Sequence, residues 1–205
     1  MSRFKLFAGA LIAGVALVGL VVAAYLALRP RLTPTSFHGQ WIDSASPASD
    51  FVLQTAGSRS VSLSDFRGRV VLLFFGYRFC PDVCPLTLYE MKQMMEALGP
   101  DGERVQVIMV SVDPERDPPD LVDEHVKNFH PSFIGLSGSA DDIAAAATPF
   151  GIFYQQTEGS ANTTYLVSHT ATVTALDTEG YVRLIFHHGM QGKDMAEDVR
   201  QLLGR

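Results

Sequence analysis

The two cysteines of this chain stand three residues apart, in the run Phe79-Cys80-Pro81-Asp82-Val83-Cys84-Pro85. Two thiols this close make a soft site: they close as a disulfide, or as thiolates they select Cu(I) and other soft metals over harder ions. A purely structural disulfide is a weak reading. Closing a long loop is what stabilises a fold, and this loop would hold only the three residues between Cys80 and Cys84. Redox motifs of the C-x-x-C type carry two residues between their thiols. The extra residue loosens the pair and leaves room for a metal without forbidding a disulfide. The helix start beside Cys84 is expected to lower its thiol pKa, because unpaired amide N–H groups favour the thiolate. Pro81 and Pro85 restrict the turn and remove two donors.

These residues need a rigid support, and the flanking sequence supplies one. Val70 to Tyr77 reads as a buried strand entering the turn. Leu86 to Leu98 reads as a helix, with Leu88, Met91, Met94, Met95 and Leu98 at helical spacing. Its methionines read as core filler rather than thioether ligands. A second buried strand, 105–112, ends in Asp113-Pro114-Glu115-Arg116-Asp117-Pro118-Pro119 and is followed by a helix over 120–129. A strand at 133–136 and a helix at 139–148 come next. Hairpins are expected at 51–53 with 61–63, and at 152–158 with 163–168. Strands 170–176 and 181–186 flank a turn, and an amphipathic helix over 193–203 closes the chain. Alternating strands and helices imply an α/β fold, with a central mixed sheet flanked by helices. The cysteines fall at the carboxyl end of the central strand, where open α/β sheets bind ligands.

Residues 6–28 carry no charge. Such a run exceeds the ~20 residues needed to cross a bilayer and is longer than a signal-peptide core. It predicts an N-terminal transmembrane helix: a membrane anchor over 1–31, a tether over 32–49 rich in Pro, Ser and Thr, and one domain over 50–205. Trp41, in the tether, either lies near the bilayer or caps the core. Arg3 and Lys5 precede the span and Arg29 and Arg31 follow it, so the positive-inside rule is nearly balanced. The free amino terminus tips the balance toward a cytoplasmic N-terminus, with the domain on the outer, periplasmic side of a bacterial inner membrane. Of 16 basic residues these four flank the span, which leaves 12 against 22 acidic, a formal charge of −10 on the rest. That argues against a nucleic-acid partner.

Phe75-Gly76-Tyr77-x-x-Cys80-Pro81-Asp82-Val83-Cys84-Pro85, then Val110-Ser111-Val112-Asp113-Pro114-Glu115-Arg116-Asp117, then Tyr165-Leu166-Val167-Ser168-His169-Thr170 resemble, in order, three motifs of the Sco/SenC family. These are membrane-anchored, thioredoxin-fold proteins that supply copper to the binuclear CuA centre of cytochrome c oxidase. The resemblance covers residues 50–203. It implies copper, Cu(I) or Cu(II), held by Cys80, Cys84 and His169, and a binding and delivery protein rather than an enzyme. It also implies the CuA-bearing subunit II of the oxidase as partner, with an upstream copper donor or thiol reductant. The family often has Asp where Ser168 stands.

Asp113, at the exit of the neighbouring strand, either orients His169 and tunes the sulfurs or simply opens a turn. His187 and His188 are adjacent, and neighbours on a strand point to opposite faces, a poor arrangement for one metal. Two other readings use the same cysteines. A thiol–disulfide oxidoreductase would keep the CuA cysteines reduced and would not need His169. A peroxidase would oxidise Cys80 and resolve it with Cys84, but Tyr77 stands where peroxiredoxins tend to have threonine.

Overall fold

A computed structural model describes residues 14–25, 36–158 and 165–204. It divides into two units, Met1–Ser36 and Phe37–Arg205. In the first, residues 14–25 are helical. Among the described residues no helix is long and apolar enough to cross a membrane; the rest of the expected 6–28 span lies outside them. The second unit begins earlier than the sequence suggests. Gln40–Trp41, expected in the tether, forms strand β1, and Trp41 stacks on Phe37 with ring centroids 5.0 Å apart. Phe37 in turn packs against the core.

Two hairpins stand outside the main sheet: β2 (Val52–Thr55) with β3 (Arg59–Ser62), and β7 (Tyr154–Glu158) with β8 (Tyr165–His169). The main sheet adds β4 (Val70–Gly76), β5 (Val105–Ser111), β6 (Ile134–Leu136), β9 (Val173–Leu176) and β10 (Val182–Phe186). Its six strands run in the order β1-β10-β9-β4-β5-β6. β4, β5 and β6 are parallel, and β9, β10 and β1 add antiparallel partners. Every residue of β4 and β5 is buried, as parallel strands covered on both faces must be, which is why they read as unbroken apolar runs.

The helices are α1 (Val83–Leu98), α2 (Pro119–Lys127), α3 (Ala140–Ala147) and α4 (Gly192–Leu203). α1 buries Leu88, Met91, Met94, Met95 and Leu98, so its methionines are core. α4 packs against α1 closely enough that a Cβ on Gly192 would lie 2.3 Å from the Glu90 carbonyl oxygen. α2 covers β6 and the β2–β3 hairpin. The mixed sheet with its helices is the expected α/β fold.

Candidate metal centre

β4 ends at Gly76, and the chain turns through residues 77–82 into α1. Two bonds shape that turn: the Cys80 N–H donates to the Tyr77 carbonyl at 3.3 Å, and the Cys84 N–H donates to Cys80 Sγ at 3.4 Å. The second is an N–H of the helix's first turn, one of the donors that has no partner inside the helix. The sulfurs are not bonded to each other; Cys84 is buried and Cys80 half-buried. Gly76 makes room for them. A Cβ there would stand 3.0 Å from Cys84 Sγ and 2.7 Å from the Phe74 ring.

The hydrogen bond from the Cys84 thiol lowers the Cys80 pKa to about 5, against burial, with the N–H groups of Asp82 and Cys84 and the nearby His169 adding to it. Cys84 moves the other way, raised by that same bond and by burial. The expectation of a lowered Cys84 is therefore corrected. The helix amide reaches across the turn to Cys80, while the Cys84 side chain is buried under the turn.

His169 is the last residue of β8, and its Nε2 lies 3.1 Å from Cys84 Sγ. Tyr77 and Phe74 hold the imidazole edge-on, at centroid distances of 5.7 and 6.2 Å. The two sulfurs and one ring nitrogen all lie within 4.8 Å of one another. Bonds of about 2.3 Å to sulfur and 2.0 Å to nitrogen would place the donors of a trigonal site about 4 Å apart, so one ion fits with little movement. The donor chemistry fits copper: thiolates select Cu(I), and an added imidazole suits Cu(II) as well. A structural zinc site would take four protein ligands, and this group has three among the described residues.

Other candidates are placed elsewhere. Asp113 is buried, but its Oδ2 accepts from Arg116 Nε at 2.6 Å and its Oδ1 from the Tyr165 hydroxyl at 2.7 Å. It therefore holds the start of β8, four residues from His169, rather than the imidazole itself. Ser168 is exposed and faces away from Val167 and His169 by strand alternation, so its difference from Asp falls outside the ligand set. His187 and His188 are exposed beyond the end of β10, with His187 Nε2 3.2 Å from Gln40 Oε1.

Sequence reasoning passed over Asp117, Arg116, Tyr165 and Gly76, although all four lie inside the three motifs. Asp117 is fully buried, accepts from the Arg78 N–H at 2.9 Å and the Ser111 hydroxyl at 2.7 Å, and faces the Arg78 guanidinium at 3.5 Å. It ties the residue after Tyr77 to the end of β5. Burial pushes its carboxyl above the usual range.

Comparison with known proteins agrees with this geometry. Residues 40–204 match the SCO1/SenC family model. An SCO2-like protein of Rickettsia conorii is 29% identical over 184 residues, covering 88% of this chain and 90% of its own. The solution structure of apo Sco1 from Thermus thermophilus is 45% identical, with a TM-score of 0.74 over 82% of this chain and 98% of that one. ScoI from Bradyrhizobium japonicum, with copper bound, is 31% identical, with a TM-score of 0.70 over 77% of this chain and 100% of that one. Since the matched segment takes in both cysteines, His169 and nearly all of the larger unit, the chain belongs to the SCO1/SenC family.

Proposed function

We propose that this protein is a copper metallochaperone, holding Cu(I) or Cu(II) on Cys80, Cys84 and His169 and delivering it to the CuA site of cytochrome c oxidase. The observation that carries the reading is the convergence of the two sulfurs and the imidazole nitrogen within 4.8 Å. The copper-bound ScoI of the same family supports the choice of metal. The apolar run over 6–28 serves in this reading as a single N-terminal anchor, with the copper domain on the outer side of the membrane. Cu(I) passes to the oxidase by ligand exchange: acceptor thiolates enter as Cys80 and Cys84 leave, with no change in copper oxidation state. An upstream copper donor or thiol reductant keeps the pair loaded and reduced, because a Cys80–Cys84 disulfide has no thiolates to offer.

One observation favours a second activity on the same residues. A half-buried, acidic Cys80 beside a buried Cys84 is the arrangement of an attacking and a resolving thiol. The Cys80 thiolate would open a partner disulfide to a mixed disulfide. Cys84 would then displace the partner's second sulfur, leaving the partner a dithiol and this chain oxidised.

The test is anaerobic incubation of the copper-loaded full-length chain with the reduced apo CuA domain of subunit II. Metallochaperone function predicts copper on the acceptor with both donor thiols still free. If copper stays on the donor, and the metal-free reduced chain in a separate incubation converts an oxidised CuA domain to its dithiol as it forms its own Cys80–Cys84 disulfide, the oxidoreductase reading stands instead. His169→Ala should weaken Cu(II) binding more than Cu(I) and leave thiol exchange intact.

A further inference from the structure

The β7–β8 hairpin that carries His169 forms its own two-stranded sheet, separate from the six-stranded one. It is tied to the main sheet by the short link of residues 170–172 into β9, and to the cysteine turn by side-chain contacts, among them a hydrogen bond between Tyr77 and the Val167 backbone. On β8, Tyr165, Val167 and His169 share one face by alternation. Val167 is buried in the core, and His169 meets Cys84. Tyr165 lies four residues from His169, about 13 Å along the strand at about 3.3 Å per residue.

Arg116 sits where Tyr165 and the cysteine turn meet. Its guanidinium lies 3.6 Å from the centroid of the Tyr165 ring and 5.0 Å from that of Phe79, the residue before Cys80. Arg116 Nη1 donates to the Tyr165 carbonyl at 3.0 Å, and its Nε donates to buried Asp113 at 2.6 Å. The Tyr165 hydroxyl donates to the other oxygen of Asp113 at 2.7 Å, with Glu115 Oε2 3.3 Å away. The guanidinium thus touches both ligand-bearing segments and is itself fixed to the end of β5.

We propose that Arg116 is a positioning residue for the metal centre: by bridging Phe79 and Tyr165 on the Asp113 anchor, it holds the histidine strand in register with the cysteine turn. The inference rests on the copper reading above. Cys80 and Cys84 share one continuous turn and helix, so the two sulfurs, which dominate Cu(I) binding, do not depend on the bridge. Cu(II), which draws more heavily on His169, does. Removing a residue that orients a metal ligand typically costs about 10- to 100-fold in affinity, and that loss should fall mainly on Cu(II).

The experiment compares full-length wild type, Arg116→Ala, Arg116→Lys, Tyr165→Phe, His169→Ala and the double variant R116A/H169A. Cu(I) and Cu(II) affinities are read by competition, and Cu(II) geometry by electron paramagnetic resonance. Arg116→Lys keeps a cation for Asp113 but loses the planar fork and its stacking, so it serves where alanine disturbs folding. Both Arg116 variants should lose Cu(II) affinity by about 10- to 100-fold while Cu(I) affinity falls less. Tyr165→Phe, which keeps the stacking, should fall between. In the His169→Ala background, removing Arg116 should change nothing further.

An equal loss of both ions, or a further Cu(II) loss without His169, would overturn the proposal by tying Arg116 to the sulfurs or to the fold at large. Amide exchange in the metal-free chain judges the bridge separately from copper. Faster exchange of Val167 and His169 in Arg116→Lys supports it, and unchanged exchange defeats it. Absence of copper binding by wild type would count against the metallochaperone reading and leave this exchange result to decide the bridge.

Discussion

Replacing Gly76 with alanine should damage the fold and the metal centre together, because one added carbon meets the sulfur and the core at once. The new Cβ would stand 3.0 Å from Cys84 Sγ and 2.7 and 3.1 Å from atoms of the Phe74 ring. Ordinary heavy-atom contacts lie near 3.5–4.0 Å, so these groups must retreat by about 0.5–1 Å. Phe74 is fully buried and its ring edge supports His169, so moving it disturbs the imidazole too. Overpacking of this kind costs about 1–3 kcal/mol of stability. Metal–ligand distances hold to about 0.2 Å, so the sulfur shift exceeds what the site tolerates. Copper affinity should fall at least about tenfold, the equivalent of about 1.4 kcal/mol. The single tryptophan, Trp41 in β1, reports unfolding by its fluorescence, and competition with a chromophoric Cu(I) chelator reports affinity. A variant with wild-type midpoint and wild-type Cu(I) affinity would show that the sulfur and the ring have slack and that the packing does not require glycine here.

Alkylation of the metal-free, reduced chain should modify Cys80 first, with a rate that falls as pH drops through about 5, while Cys84 stays protonated and unreactive; mass mapping of the adduct checks it. The sign for stability follows from the same shift. A Cys80 pKa held below its unfolded value stabilises the reduced fold fully above that value, near 9.0, and the contribution is lost as pH falls toward about 5. Asp117→Ala should cost about 1–3 kcal/mol by leaving the Arg78 N–H and the Ser111 hydroxyl without their buried acceptor, with Asp117→Asn milder, read from denaturation midpoints. Ser168→Asp should leave copper affinity unchanged and stability within about 0.5 kcal/mol, because Ser168 is exposed and faces away from His169.

Much of the architecture was written in local patterns. β4 and β5 are unbroken apolar runs because both faces are covered, and α1 announced itself through apolar residues at helical spacing. The cysteine pair was legible for a related reason: three residues of spacing guarantee proximity whatever the fold. His169 was not, since 85 positions separate it from Cys84, and only the resemblance of its motif selected it among six histidines. The Cys84 expectation failed because sequence tells that a helix starts there but not which sulfur its amides face. Trp41 and β1 were hidden because a two-residue edge strand leaves no period to detect. Asp113 read equally as a support for His169 and as a turn opener, and its partner Tyr165 becomes visible only once β8 folds across the exit of β5.

That Cys80, Cys84 and His169 form one copper site is open to test by anaerobic titration of the reduced full-length chain with Cu(II), followed by absorption and electron paramagnetic resonance. One tightly bound ion with a sulfur-to-copper charge-transfer band is the expected result. That band should vanish in Cys80→Ser and Cys84→Ser and be altered, with weaker binding, in His169→Ala. Binding that survives loss of either cysteine, or a spectrum free of sulfur and indifferent to His169, would contradict it.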